Sequence, residues 1–142
     1  AWVGTRLVLA EEFDGHEEYR RAIMSAKETD TIHSSLFDLG WPDAPHRCLI
    51  NDTVETWLAA GSPKPGHRPN EGEVIAHNGT EAIPRYSSQD PTGGSIAGQI
   101  TSMCMYAGQG VGLTNEIKPV AKILEEMVSD ASQVLTKLGA GK

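Results

Sequence analysis

Five histidines and two cysteines are the side chains here best suited to hold a metal or to attack a carbon centre, and their spacing assembles neither chemistry. There is no CxxC, no HExxH and no carboxylate-rich calcium loop, so no metal site is expected. The GxSxG elbow that presents a hydrolase serine is absent as well. His16 falls in an exposed first helical turn, His46 and His67 in proline-rich loops, and His77 beside a hairpin turn. His33, within a short strand, is the least easily set aside, yet all five read as solvated or structural. Cys48 and Cys104 read as small buried hydrophobes in a reducing compartment, which points to the cytoplasm. Two cysteines also exclude a disulfide-dense secreted scaffold and a four-cysteine metal site. The paired acids Glu11-Glu12 and Glu125-Glu126 look like solvated faces.

Two glycine-bearing segments offer more. In Trp2-Val3-Gly4-Thr5 the glycine would let backbone approach a ligand oxygen closely, and the threonine adds a hydroxyl donor. Arg6 either adds charge there or faces outward. By its own physics, Gly-Thr also simply starts a strand. In Gly108-Gln109-Gly110-Val111-Gly112 the alternating glycines can carry a ligand-facing loop or an ordinary helix–helix connection. This run is not GxGxxG, and the stretch before it reads as a helix rather than a strand.

The elements that would position these segments follow from periodicity and punctuation. Ala1 to Ala10 reads as a nearly continuous apolar strand of the kind covered on both faces. Asp14 is the expected N-cap of a helix from His16 to Ala26, with Tyr19, Ile23 and Ala26 as its apolar stripe. Thr29 to Phe37 and Arg47 to Ile50 read as short strands on either side of the Gly40-Trp41-Pro42 loop. Asn51 or Asp52 caps a helix through Val54, Trp57 and Leu58 that Gly61 ends. A proline-rich loop, Gly61 to Gly72, precedes a hairpin whose arms are Glu73–His77 and Thr80–Tyr86. Asn78-Gly79 is its expected type I′ turn, and Pro84 makes the second arm an edge strand. Ser95 to Met105 reads as a helix. The last helix is the clearest element: Asn115 is its expected cap, and Pro119 sits in its first turn. Val120, Ile123, Leu124, Met127, Ala131, Val134, Leu135 and Leu138 keep 3.6-residue spacing along it.

The chain's 142 residues make one ordinary domain. The net charge of −7, with no Lys/Arg cluster, speaks against a nucleic-acid partner. No apolar run approaches the ~18 residues of a membrane span, and no signal peptide is visible. A start without Met, inside an apolar run, suggests a piece of a longer protein.

Three stretches then carry a family likeness. They are Trp2-Val3-Gly4-Thr5-Arg6 with Glu11-Glu12 and His16-Glu17-Glu18-Tyr19; Asp30-Thr31 with Gly40-Trp41-Pro42 and Arg47-Cys48-Leu49-Ile50-Asn51; and Tyr106-Ala107-Gly108-Gln109-Gly110-Val111-Gly112-Leu113 before the long helix. In that order and spacing the chain resembles the nitronate monooxygenase (2-nitropropane dioxygenase-like) family, from Trp2 to about Leu135. The resemblance implies an α/β fold: the C-terminal fragment of a (β/α)8 FMN-binding barrel, with its last strand and terminal helices and a small inserted α+β region. Residues 1–29 would be the last barrel strand and its helix, 30–94 the inserted α+β region with the hairpin, and 95–142 the C-terminal helices packing on the barrel. The activity implied for the complete protein is oxidation of alkyl nitronates by O2, giving carbonyl compounds and nitrite.

The same resemblance assigns the FMN phosphate to Trp2, Val3, Gly4 and Thr5, at a barrel's usual phosphate position. It makes Ala107, Gly108 and Gln109 candidates for the flavin pocket wall. No catalytic residue is assigned, because the family's proton-abstracting histidine lies upstream of the matched region. Only one of eight barrel strands is assignable, which leaves open whether this chain is an enzyme by itself. The implied partners are FMN and a small nitroalkane or nitronate. A companion chain or self-association would complete the barrel, with no nucleic acid and no membrane. The alternatives are the related FMN-dependent enoyl-acyl-carrier-protein reductases and a non-catalytic interaction module. A fragment should expose Leu7-Val8-Leu9-Ala10 and the stripe of the last helix.

Overall fold

The computed structural model describes residues 3–139, so Trp2 lies outside the described residues. The first element is a correction. The expected strand Ala1–Ala10 is instead a short helix, α1 (Gly4–Leu7), followed by a turn; only Ala10 makes a parallel bridge, to Lys118. A short apolar run does not by itself distinguish strand from helix. Here the run resolves as helix and turn because Val8 and Leu9 then pack against Tyr19 and Ile23 of α2 (Glu17–Ser25). Val8, Leu9 and Ala10 are therefore buried, against the exposure expected of a fragment.

The cap of α2 is His16, whose Nδ1 accepts from Glu18 N–H at 3.2 Å, and not Asp14. β1 (Thr31–Ser34) and β2 (His46–Leu49) form an antiparallel pair, with Ile32 opposite Cys48 and Ser34 opposite His46. The segment 105–107 runs along the other edge of β2, through Leu49 N–H to Met105 O (2.9 Å) and Ala107 N–H to Arg47 O (3.0 Å). Asn51 caps α3 (Asp52–Ala59) as expected, accepting from Val54 N–H, while its Nδ2 donates to Met103 O at 2.8 Å.

β3 (Val74–Asn78) and β4 (Glu81–Pro84) make the expected hairpin, with the turn shifted by one residue. Asn78 pairs with Glu81, so the loop is Gly79-Thr80. Gly79 alone has positive φ, +59°, which is the type II′ rather than the type I′ pattern. β4, with Pro84, is indeed an edge. The expected helix Ser95–Met105 is the second correction. It is β5 (Ile96–Gly98), antiparallel to β3, and then a single 3-10 turn at Ile100–Ser102. Gly98 at φ +133° is incompatible with a helix there, and a Cβ at this position would lie 2.5 Å from Ile75 O.

Three apolar clusters hold these pieces. One joins Val8, Leu9, Tyr19 and Ile23 to Leu49, Met105, Ala107 and Val111; one surrounds Phe37, Cys48, Val54, Tyr86 and Cys104; one fills the hairpin with Ile75, Ile83, Ile96, Ile100 and Met103. Two buried arginines tie loops to these cores. Arg68 pairs with Asp38 and Glu71 and lies over the Tyr86 ring at 4.3 Å. Arg85 bonds Glu73 (2.9 Å) and Thr53 (2.7 Å). The Arg68 guanidinium, by hydrogen bonding, holds the Glu71 carboxyl down at about 2.

The last helix, α4 (Val120–Gly139), has the expected extent. Its cap is not Asn115: the Glu12 carboxylate accepts from Val120 N–H at 2.9 and 3.1 Å. Of its apolar stripe only Ile123 is buried, and residues 131–139 are exposed throughout. The architecture is a small mixed α/β assembly, with no closed barrel among the described residues.

Candidate functional site

The N-terminal helix and the glycine-rich turn meet. Thr5 Oγ1 accepts from Gly108 N–H at 2.8 Å, across 103 positions of sequence. Gly108 opens a 3-10 helix, Gln109–Leu113, where the alternating glycines predict a loop or a helix–helix connection. The backbone strengthens the crossing on both sides. Glu11 N–H donates to Lys118 O (3.0 Å) and Lys118 N–H to Leu9 O (3.2 Å), while Arg6 donates to Glu116 O at 3.1 Å.

Between α1, the 108–118 segment and α4 lies a cleft of about 750 Å3, within the ~300–1,000 Å3 common for ligand pockets. Val3, Thr5, Gly108 and Gln109 line it, as does Gly110. Gly4 stands beside it in α1, with nothing within 4 Å of where a Cβ would be. Ala107 does not line it; its side chain is buried in the first apolar cluster. Leu113, Asn115, Glu116, Lys118, Glu126 and Asp130, none of them a binding candidate by sequence, line it too. The alternation of acids and Lys118 gave no signal, because such residues also make ordinary solvated faces.

The charges of the cleft are divided. Lys118 Nζ lies 2.6 Å from Glu116 and 3.0 Å from Glu126. Hydrogen bonding within this group raises Lys118 and lowers Glu116 relative to their ordinary values. The α4 side is thus carboxylate-rich, and Lys118, which lines the cleft just before α4, is already paired. The Thr5–Gly110 side presents backbone, a hydroxyl and Arg6. Thr5 Oγ1, having accepted from Gly108, keeps its own proton to donate. An anion therefore fits the Thr5 end and is repelled at the Asp130 end. The Thr5 end offers donors for one edge of an anion such as a phosphate, not a whole cradle.

The five histidines take no part in this cleft. His33 and His77 are exposed on β1 and β3. His46 is corrected: the proline-rich loop ends before it, and it opens β2 with 7% of its surface exposed. No helix among the described residues is long and apolar enough to cross a membrane.

No family model and no curated protein matches this chain. Solved structures do. FabK from Thermotoga maritima aligns with 97% of the chain at 20% identity and a TM-score of 0.58, and its M276A mutant aligns over the same share at 20% identity and 0.55. The chain spans 38% and 35% of those two structures. At this identity the likeness is one of fold: a mixed α/β piece that superposes on part of a larger FabK chain.

Proposed function

We propose that this chain is the C-terminal portion of an FMN-dependent oxidoreductase related to the nitronate monooxygenases, and that it supplies one edge of the FMN phosphate site. The observation that carries the reading is the Thr5–Gly108 hydrogen bond. It brings together, at one cleft, the two segments that the resemblance assigned to the same cofactor. FMN would supply the redox chemistry through N5 and C4a. This chain's own residues bind and orient: the Thr5 hydroxyl donates to a phosphate oxygen, Gly4 and Gly110 allow close backbone approach, and Arg6 adds charge. The companion barrel strands, and the base that takes the substrate proton, come from elsewhere, supplied by a partner segment or a second copy. The apolar face of α4, with Leu124, Val128 and Leu135 exposed, is the surface such a partner would cover.

The likeness to FabK supports an enoyl-acyl-carrier-protein reductase as well as a monooxygenase. NADH-driven bleaching of the bound flavin indicates the reductase; nitronate- and O2-dependent nitrite release without NADH indicates the monooxygenase. The binding test compares FMN with riboflavin, which lacks the phosphate, by quenching of flavin fluorescence. The reading expects FMN to bind more tightly than riboflavin. Thr5→Val should weaken FMN about tenfold, the worth of one hydrogen bond to a charged group, and leave riboflavin unchanged. Equal affinity for the two flavins, or indifference of FMN to Thr5→Val, would overturn it.

A further inference from the structure

His46 and Cys48 alternate along β2 and so face the same way. Cys104 comes from the segment that runs beside that strand, where Cys48 bridges Tyr106. One ring nitrogen and the two sulfurs all lie within 4.8 Å of one another. Both cysteines are fully buried, and 7% of His46 is exposed. Phe37, Val54 and Tyr86 pack in the same cluster, so the surroundings are dry.

The histidine has the tautomer that ligation needs. Its Nδ1 is 2.9 Å from Ala44 O, a carbonyl that can only accept, so Nδ1 carries the proton. Nε2 is then a buried lone pair with no hydrogen-bond partner. A buried acceptor without a partner is uncommon in a packed core and calls for an occupant. A ligating histidine typically donates its other N–H to a backbone carbonyl, which is the role of Ala44 here.

We propose that His46 Nε2, Cys48 Sγ and Cys104 Sγ bind a single thiophilic metal ion, zinc(II). With Zn–S near 2.3 Å and Zn–N near 2.1 Å, donors of a tetrahedral set sit roughly 3.5–3.8 Å apart. One imidazole nitrogen and the two sulfurs, already within 4.8 Å of one another, reach that spacing by side-chain rotation. The charge balance favours a divalent ion. Two thiols release two protons on binding, and two thiolates plus neutral imidazole around Zn2+ make a complex of zero net charge, the form a dry interior tolerates. A monovalent soft ion such as copper(I) would leave one negative charge buried. The fourth position is left to a small ligand such as water.

The test uses the full chain, reduced with a phosphine and freed of metal, titrated first with cobalt(II) and then with zinc(II). The expected result is thiolate-to-cobalt charge-transfer absorption that saturates at one ion per chain and is abolished by zinc. Cys48→Ser and Cys104→Ser should each weaken binding by about 100-fold or more, beyond the ~10–100-fold that loss of an outer-shell partner costs. Because these variants alter a core, X-ray absorption at the zinc edge of the wild-type chain is the second readout, with two sulfurs and imidazole nitrogen in the first shell. No charge-transfer band, a first shell without sulfur, or binding of copper(I) but not zinc would each overturn the assignment.

Discussion

Helices α2 and α4 carry apolar stripes of the same kind, and the structure treats them in opposite ways. α2 sinks Tyr19 and Ile23 completely into the first cluster, and the Tyr19 hydroxyl donates to Tyr106 O at 2.7 Å. α4 is more than twice as long, buries Ile123 and leaves Leu124, Val128, Val134, Leu135 and Leu138 in the open. Periodicity determines that a segment becomes a helix with an apolar face. It does not determine that the same chain provides the cover. What anchors α4 is its first turn, through Ile123, the Glu12 cap and the Lys118–Glu126 pair.

The contrast can be broken most strongly from the anchored side. Ile23→Ala should cost about 2–5 kcal/mol, the range for emptying a fully packed site, read as a lower midpoint in urea unfolding. Arg68→Met should cost about 3 kcal/mol, because it strands Asp38 and Glu71 and removes the Tyr86 contact, also by urea unfolding. The same pair gives a pH signature. Glu71 is depressed in the folded state, so its contribution is complete above the unfolded glutamate value of ~4.3 and is lost as pH falls toward about 2. Wild type should therefore lose stability over that interval more steeply than Glu71→Gln. Glu12→Ala should cost about 1 kcal/mol, as loss of a helix cap does, with faster amide exchange confined to the start of α4. The smallest effect is expected at Leu135→Lys: stability within about 0.5 kcal/mol of wild type, and weaker self-association by sedimentation. A large loss of stability there would mean that the face is already covered.

What the sequence made legible follows the range of the interactions. Asn51 and α3, the hairpin with its edge proline, and the extent of α4 rest on contacts a few residues apart, and all appear. The Asn78-Gly79 turn slipped by one residue because either placement puts glycine at positive φ. The strand expected over Ala1–Ala10 and the helix over Ser95–Met105 failed for a different reason. Both are short apolar runs whose state is set by distant partners, Tyr19 and Ile23 for the first and β3 for the second. In the cleft, Thr5 and Gly108 were paired only through the family resemblance, since nothing local links them. Of the three metal-binding candidates, the sequence puts only Cys48 on a strand; His46 reads as loop and Cys104 as helix, and the fold alone brings them together beside β2.

The proposed function places an FMN phosphate at the Thr5–Gly108 crossing. Amide hydrogen exchange, with and without saturating FMN and with riboflavin as the comparison, tests it most directly. The prediction is FMN-specific slowing at Gly4–Leu7 and Gly108–Gly110, with the β3–β4 hairpin unchanged. Slowing that riboflavin reproduces equally, or that falls outside those two segments, would contradict the account.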